Sequence, residues 1–307
     1  MHEMNESLIE NAMGGNIDQV RDLLQKGANV NAKYHIDYEW GKILTRARGN
    51  DGDTALYLAS WFGHSEVVCE LLKHENVNVN VNARGTFGFT SLMASCCCEH
   101  VDVVRDLLRN SNVDVNAKLR HGYTALHIAV GLRNVQVVCE LLMHKNLNVN
   151  AKDNTGLTVL MMVSKQQDGA GCVEIVRMLL GHRQMDVNAR DKLGRTAFLW
   201  ASYKGHWEIV REFLKHDEVD VNVEGPQGNT ALFWATLRGQ LDVVRDMLKH
   251  DKINVHHKNK AGSTVLDIAR KCDLHDIASL LEKRAQQSSR SLERHASAVV
   301  RRFSQFE

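Results

Sequence analysis

Thr124-Ala125-Leu126-His127-Ile128-Ala129 is the stretch that decides the fold, because its register returns along the whole chain. A Gly-x-Thr signal precedes or opens each copy: Gly52-Asp53-Thr54, Gly88-Phe89-Thr90, Gly122-Tyr123-Thr124, Gly156-Leu157-Thr158, Gly194-Arg195-Thr196, Gly228-Asn229-Thr230 and Gly262-Ser263-Thr264. The threonines are 36, 34, 34, 38, 34 and 34 residues apart, so the chain is built from one repeated unit. A small or apolar residue and then Leu or Phe follow each Thr. Five positions after it stands Ala59, Ser95, Ala129, Val163, Ala201, Ala235 or Ala269. A second apolar block comes next, as in Val67-Val68 with Leu71-Leu72 and Val243-Val244 with Met247-Leu248. Pairs four apart share one face of a helix. Asn31, Asn82, Asn116, Asn150, Asn188 and Asn222, each after Val, close the unit.

This pattern predicts two short helices followed by an extended turn. Thr is placed to cap the first helix, and Gly63, Gly205 and Gly239 separate the first helix from the second. Helices of about eight to ten residues are marginal alone, so each unit hides its apolar face only against its neighbours.

The hexapeptide at 124–129, Gly205-His206, and Asp-Val-Asn-Ala at 114–117 and 186–189 resemble ankyrin repeats, whose period is about 33 residues. The resemblance implies an all-α ankyrin-repeat solenoid of about eight helix–turn–helix units with extended hairpin turns. It places an ankyrin-repeat domain at 1–283, with repeats near 5–33, 50–85, 86–119, 120–153, 154–191, 192–225, 226–259 and 260–283. Residues 284–307 form a basic Ser/Arg-rich tail. The segment from Leu8 to Asn31 reads as the second half of a repeat with a degenerate first helix. The family's Pro after Thr is replaced by Ala, Ser or Val, and Pro226 is the chain's single proline. Three insertions interrupt the period: one between Asn31 and Thr54, two residues within 76–82, and four around 167–171.

Composition narrows the function. A formal net charge of +1 over 307 residues gives no global pull toward nucleic acid or anionic membranes. No apolar run approaches the roughly 18 residues of a membrane span, and Met1-His2-Glu3 lacks the basic start of a secretory signal. Seven cysteines, three of them consecutive, suit reduced thiols, and the chain is read as cytoplasmic or nuclear.

Cys96-Cys97-Cys98-Glu99-His100 invites a metal or nucleophile reading, but successive helical residues diverge by about 100°. Cys96 is expected in the core, with Cys97 and Cys98 toward the surface. His74, His144, His182, His216 and His250 recur at one register position, where bonding to backbone in the adjacent turn is expected rather than metal binding. No phosphate loop, carboxylate pair or nucleophile–base set stands out from the repeat background. The chain is therefore read as a non-enzyme without cofactor or metal.

The resemblance implies that helix one and the turn tip form a concave binding surface. Trp61, Phe62, Phe87, Phe89, Tyr123 and Leu132 are large apolar residues at positions expected to be exposed; toward the C-terminus such positions hold Lys192, Arg195, Tyr203, Lys204, Arg238 and Lys260, so the later half is basic. The expected partner is a protein, with an acidic segment for the basic half; the chain itself is expected to be monomeric. The alternative is nucleic-acid or acidic-ligand binding through the basic C-terminal half and tail. Trp200 and Trp234 occupy equivalent places read as core. In the tail, Leu292, Ala296, Val299, Phe303 and Phe306 have helical spacing among arginines, suiting either a docking helix or a cap on the last repeat. Ser304 and Ser297 follow basic residues and are candidate phosphorylation sites. The resemblance also makes the turn residues Asn116, Asn188 and Asn222 candidates for hydroxylation.

Overall fold

A computed structural model describes residues 1–34, 52–73, 79–166 and 169–287. The chain divides into two compact units, Met1–Asn154 and Thr155–Glu307. Among the described residues the secondary structure is helical, with one isolated bridge between Lys33 and Thr54 and no strand. That bridge closes the neck of the first insertion: Tyr34 N–H donates to the Asp53 carbonyl and Gly52 N–H to the Tyr34 carbonyl, both at 2.8 Å. Most of the insertion, the 76–78 part of the second and residues 167–168 of the third lie outside the described residues.

In the first unit, α1 (His2–Gly14), α3 (Ala55–Phe62), α5 (Ser91–Cys97) and α7 (Ala125–Leu132) pack in sequence as one row. The row behind them comprises α2 (Ile17–Gln25), α4 (Ser65–Lys73), α6 (Val101–Arg109) and α8 (Val135–Leu142). In the second unit, α9 (Val159–Lys165), α11 (Ala197–Lys204), α13 (Ala231–Leu237) and α15 (Val265–Lys271) form the corresponding first row. Behind it stand α10 (Ala170–Leu180), α12 (Trp207–Phe213) and α14 (Leu241–Met247), and α16 spans 275–287. The first repeat corrects the sequence reading. Its first helix, α1, has 13 residues, against eight in α3. Its sequence looks degenerate because it lacks the Gly-x-Thr entry, yet Leu8, Ile9 and Ala12 still bury one face against α3.

Local chemistry explains the repeat. Each repeat threonine, Thr54, Thr90, Thr124, Thr158, Thr196, Thr230 and Thr264, accepts the N–H three residues on. Such a cap is worth about 1 kcal/mol. Ala59, Ala129, Ala201, Ala235 and Ala269 are completely buried, and their small size lets adjacent helices approach. Gly63 shows why Gly-His recurs. Its φ of 82° is left-handed, and a Cβ there would lie 2.7 Å from the His100 ring. His100 Nε2 sits 3.0 Å from the Trp61 carbonyl, which only accepts, so that nitrogen carries the proton. His64 reaches the Met13 carbonyl in the same way at 2.9 Å.

The turn asparagines join repeats edge to edge. Asn116 Nδ2 donates to the Asn146 carbonyl and its Oδ1 accepts from Asn148 N–H, both at 2.7 Å. Asn82, Asn188 and Asn222 make the same paired bridge one repeat onward. Asn116→Ala is expected to lower stability by about 1–2 kcal/mol, since two bonds go and two backbone groups lose their partners. Urea unfolding checks this, and an unchanged midpoint would mean that water replaces the bridge at no cost. His144, His182 and His250 do bond backbone: each Nδ1 accepts, at 3.3 Å, the N–H two residues later in its own turn. His216 instead approaches Glu218, and His74 lies outside the described residues.

Candidate functional site

In the first unit the first-row helices and turn tips gather aromatic rings. Trp61, on the last turn of α3, lies 6.1 Å from Tyr57 and 6.4 Å from Phe89, and Phe87 meets Phe89 edge-on at 6.3 Å. Tyr57 is buried and its hydroxyl donates to the Thr86 carbonyl. Asp53 accepts from both Thr86 N–H and its hydroxyl, at 2.6 and 2.7 Å. These bonds hold the 86–88 turn against α3 and present Phe87, which is 78% exposed. Phe87 has φ 60° and ψ 9°, a left-handed backbone that a bulky residue adopts only at a cost.

Cys96 is fully buried while Cys97 and Cys98 are half-buried. Burial first, and then the neighbouring Cys97, push the Cys98 thiol up to about 11; burial likewise raises Cys96 and Cys97. At neutral pH these thiols stay protonated and are poor nucleophiles or metal ligands. Among the described residues no group of three or more His, Cys, Asp or Glu side chains is placed to hold a metal.

In the second unit the equivalent surface combines rings with cations. Tyr203 stands edge-on to Trp200 at 6.3 Å and to Trp234 at 5.2 Å. The Arg195 guanidinium lies 4.0 Å from the Trp200 ring centre, Lys165 Nζ 5.0 Å from the same ring, and Arg238 4.3 Å from Tyr203. Asp191 anchors this arrangement. One carboxylate oxygen accepts from the Leu193 and Arg195 N–H groups at 2.9 Å, and the other from Arg195 Nε at 2.8 Å and Trp200 Nε1 at 3.3 Å. Burial opposes the charge most strongly, but the Arg195 and Leu193 hydrogen bonds together outweigh it and hold the carboxyl below its ordinary range.

The second-row helices carry a different electrostatic pattern. In the first unit, Arg21 bonds Glu70 and Arg105 bonds Glu140 of the next repeat. In the second, Arg177 reaches Glu212 at 2.9 Å and Arg211 reaches Asp246, while Lys215 and Lys249 reinforce those carboxylates at 2.8 Å. Arg211 also covers the Trp207 ring at 4.5 Å. This face neutralises its own charges repeat by repeat.

The family described as Ankyrin repeats (3 copies) matches residues 5–119, 75–153, 113–191, 134–224 and 160–259. The chain belongs to the ankyrin-repeat family. Similar solved structures include the ankyrin repeat domain of Bcl-3, described as a unique member of the IkappaB protein family. It matches with TM-score 0.68 and 28% identity over 76% of this chain and 100% of that one. An ankyrin repeat domain from Acinetobacter baumannii AYE matches with TM-score 0.57 and 28% identity over 63% of this chain and 97% of that one. The ankyrin repeat protein EF0377, at 22% identity and TM-score 0.58 over 62% of this chain and 96% of that one, shares the fold. Oxysterol-binding protein-related protein 1 of Rattus norvegicus is 38% identical over 71 residues, which is 23% of this chain and 7% of that protein. The shared segment is thus a small part of that relative's length. Ankyrin repeats generally mediate protein–protein interaction. No described helix is long and apolar enough to cross a membrane.

Within this ankyrin framework the predicted binding residues divide. Phe62, Phe87, Tyr123, Leu132, Lys204 and Arg238 are exposed. Trp61, Phe89, Arg195 and Tyr203 are half-buried, which corrects their reading as exposed positions: Trp61 and Phe89 pack together in the first unit, and in the second Arg195 lies on Trp200 and Tyr203 against Trp200 and Trp234. Tyr123 stacks on His127 at 5.6 Å, apart from the Trp61 cluster. Trp200 is core, its N–H bonded to Asp191, whereas Trp234 is half-exposed and belongs to the surface. Leu193, 61% exposed, and Leu237, 40% exposed, escaped the sequence reading. Both had a signal. Leu193 stands three residues before its Thr, as Phe87 does, and Leu237 occupies the register of Trp61 and Tyr203. Asn116, Asn188 and Asn222 are half-buried, with both ends of each amide bridged to the next repeat. Ser297 and Ser304 lie outside the described residues.

Proposed function

We propose that this chain is a non-enzymatic scaffold or adaptor that docks a segment of another protein on its first-row helices and turn tips. The observation that carries this reading is Phe87, an aromatic ring largely in solvent on a turn pinned by Asp53 and Thr86. Left-handed backbone costs a non-glycine residue roughly 1 kcal/mol, and the edge contact with Phe89 leaves most of the ring in solvent. A residue that costs stability where it stands suits a role outside the fold. Exposed Phe62, Tyr123 and Leu132 extend the apolar positions of the same unit. Aromatic anchors bury much area for little rotamer entropy, as binding hot spots require.

Phe87→Asn tests this reading because its two effects run in opposite directions. Asn tolerates left-handed backbone, so the melting temperature should hold or rise slightly. Recovery of bound protein from the parent cell extract should fall at least several-fold, and Tyr123→Ser should lower it further. Unchanged recovery in the double variant would reject this face as the docking site.

A further inference from the structure

We infer that the first-row face of the second unit takes an acidic peptide segment, its carboxylates received by the ring-stacked guanidiniums of Arg195 and Arg238. The inference rests on the docking reading above and adds the chemistry of the ligand. Its starting point is the segregation of charge within one unit. On the second-row helices Arg177, Arg211, Lys215, Arg245 and Lys249 each pair with a carboxylate. On the first-row side, Lys165, Lys192, Lys204 and Arg238 pair with no carboxylate among the described residues. Arg195 spends its Nε on Asp191, and its two terminal nitrogens meet no acceptor among the described residues.

The rings make this charge specific. Trp200 and Tyr203 each hold a guanidinium carbon over the ring, at 4.0 and 4.3 Å, which narrows the rotamers of Arg195 and Arg238 and leaves N–H groups for carboxylate contacts. Because the ring faces are taken by the chain's own cations, the cluster is not arranged as a cage for a cationic ligand. The span between the two guanidiniums is at most the 6.3 Å ring spacing plus stacking distances of 4.0 and 4.3 Å. Four or five residues of extended chain cover that at ~3.3 Å each. Carboxylates within that reach, with an apolar side chain against Trp234 and the exposed Leu237, complete the match.

The test measures fluorescence anisotropy of the full chain with a labelled Glu- and Leu-containing peptide of about twelve residues, its Glu→Gln counterpart, and a single-stranded DNA of equal charge. The Glu peptide should bind at least about tenfold tighter than the Gln peptide, and more weakly as salt rises. The variant K165Q/K204Q/R238Q, which touches only exposed cations and should melt like the parent, should lose most of that difference. Equal binding of both peptides, or an unaffected triple variant, would overturn the proposal. Tighter binding of the DNA would overturn it in favour of nucleic acid. If the triple variant still recovers protein from extract and Phe87→Asn does not, the charge assignment fails while the docking reading stands.

Discussion

Replacing Asp191 with Ala is expected to destabilise the second unit by about 2–4 kcal/mol, a large effect for one turn residue. The carboxylate is buried and receives four hydrogen bonds, from two backbone amides, the Arg195 guanidinium and the Trp200 indole. Removing it strands all four donors and releases Arg195 from its ring. Asp191→Asn keeps the shape but turns an N–H donor toward other donors, so it should cost somewhat less than Ala. The pH dependence follows from the direction of the shift. The folded carboxyl titrates below its unfolded value of about 4, so its contribution is complete above pH 5 and fades as the pH falls through the folded value. The gap between the parent and Asp191→Asn should therefore be flat from pH 8 to 5 and shrink in stronger acid. Denaturant unfolding across that range checks both claims; a gap that widens in acid would contradict this account. Glu212 and Asp246, also held below their ordinary range, add stability lost in the same direction.

Phe213→Ala should have a still larger effect, about 3–5 kcal/mol, which for a unit of this size lowers the melting temperature by roughly 10 °C. Phe213 is completely buried at the end of α12 and meets Phe198 of α11 edge-on at 5.8 Å. Phe198 shares its short helix with Trp200 and Tyr203, so a cavity behind α11 loosens the surface that carries the stacked arginines. Calorimetry should show the loss, and hydrogen exchange should place it in α11 and α12 first. A melting temperature within about 2 °C of the parent would mean that neighbouring side chains collapse into the space.

The residues most legible from the pattern are those whose task is local. Each threonine needs only the N–H three positions on, and each alanine at the fifth position needs only a helix packed close by, so spacing alone announces both. The aromatic positions were legible as anomalies but not in their exposure. Trp61 and Phe89 are half-buried because each packs on the other, and Phe87 remains in solvent because the 86–88 turn lifts it there.

Taken alone, the sequence determined the repeat, its helix pair, the caps and the buried stripes, because those depend on residues within one period of about 34. Only the tertiary structure decided which cations are spent and which are available. Arg211 stands 15 residues after its Thr and Arg238 eight after its own; one meets Asp246 in the next repeat and the other lies on a ring of the previous one. That difference is set by which side chains neighbouring repeats bring within a few ångströms, and no periodicity within a single repeat contains it.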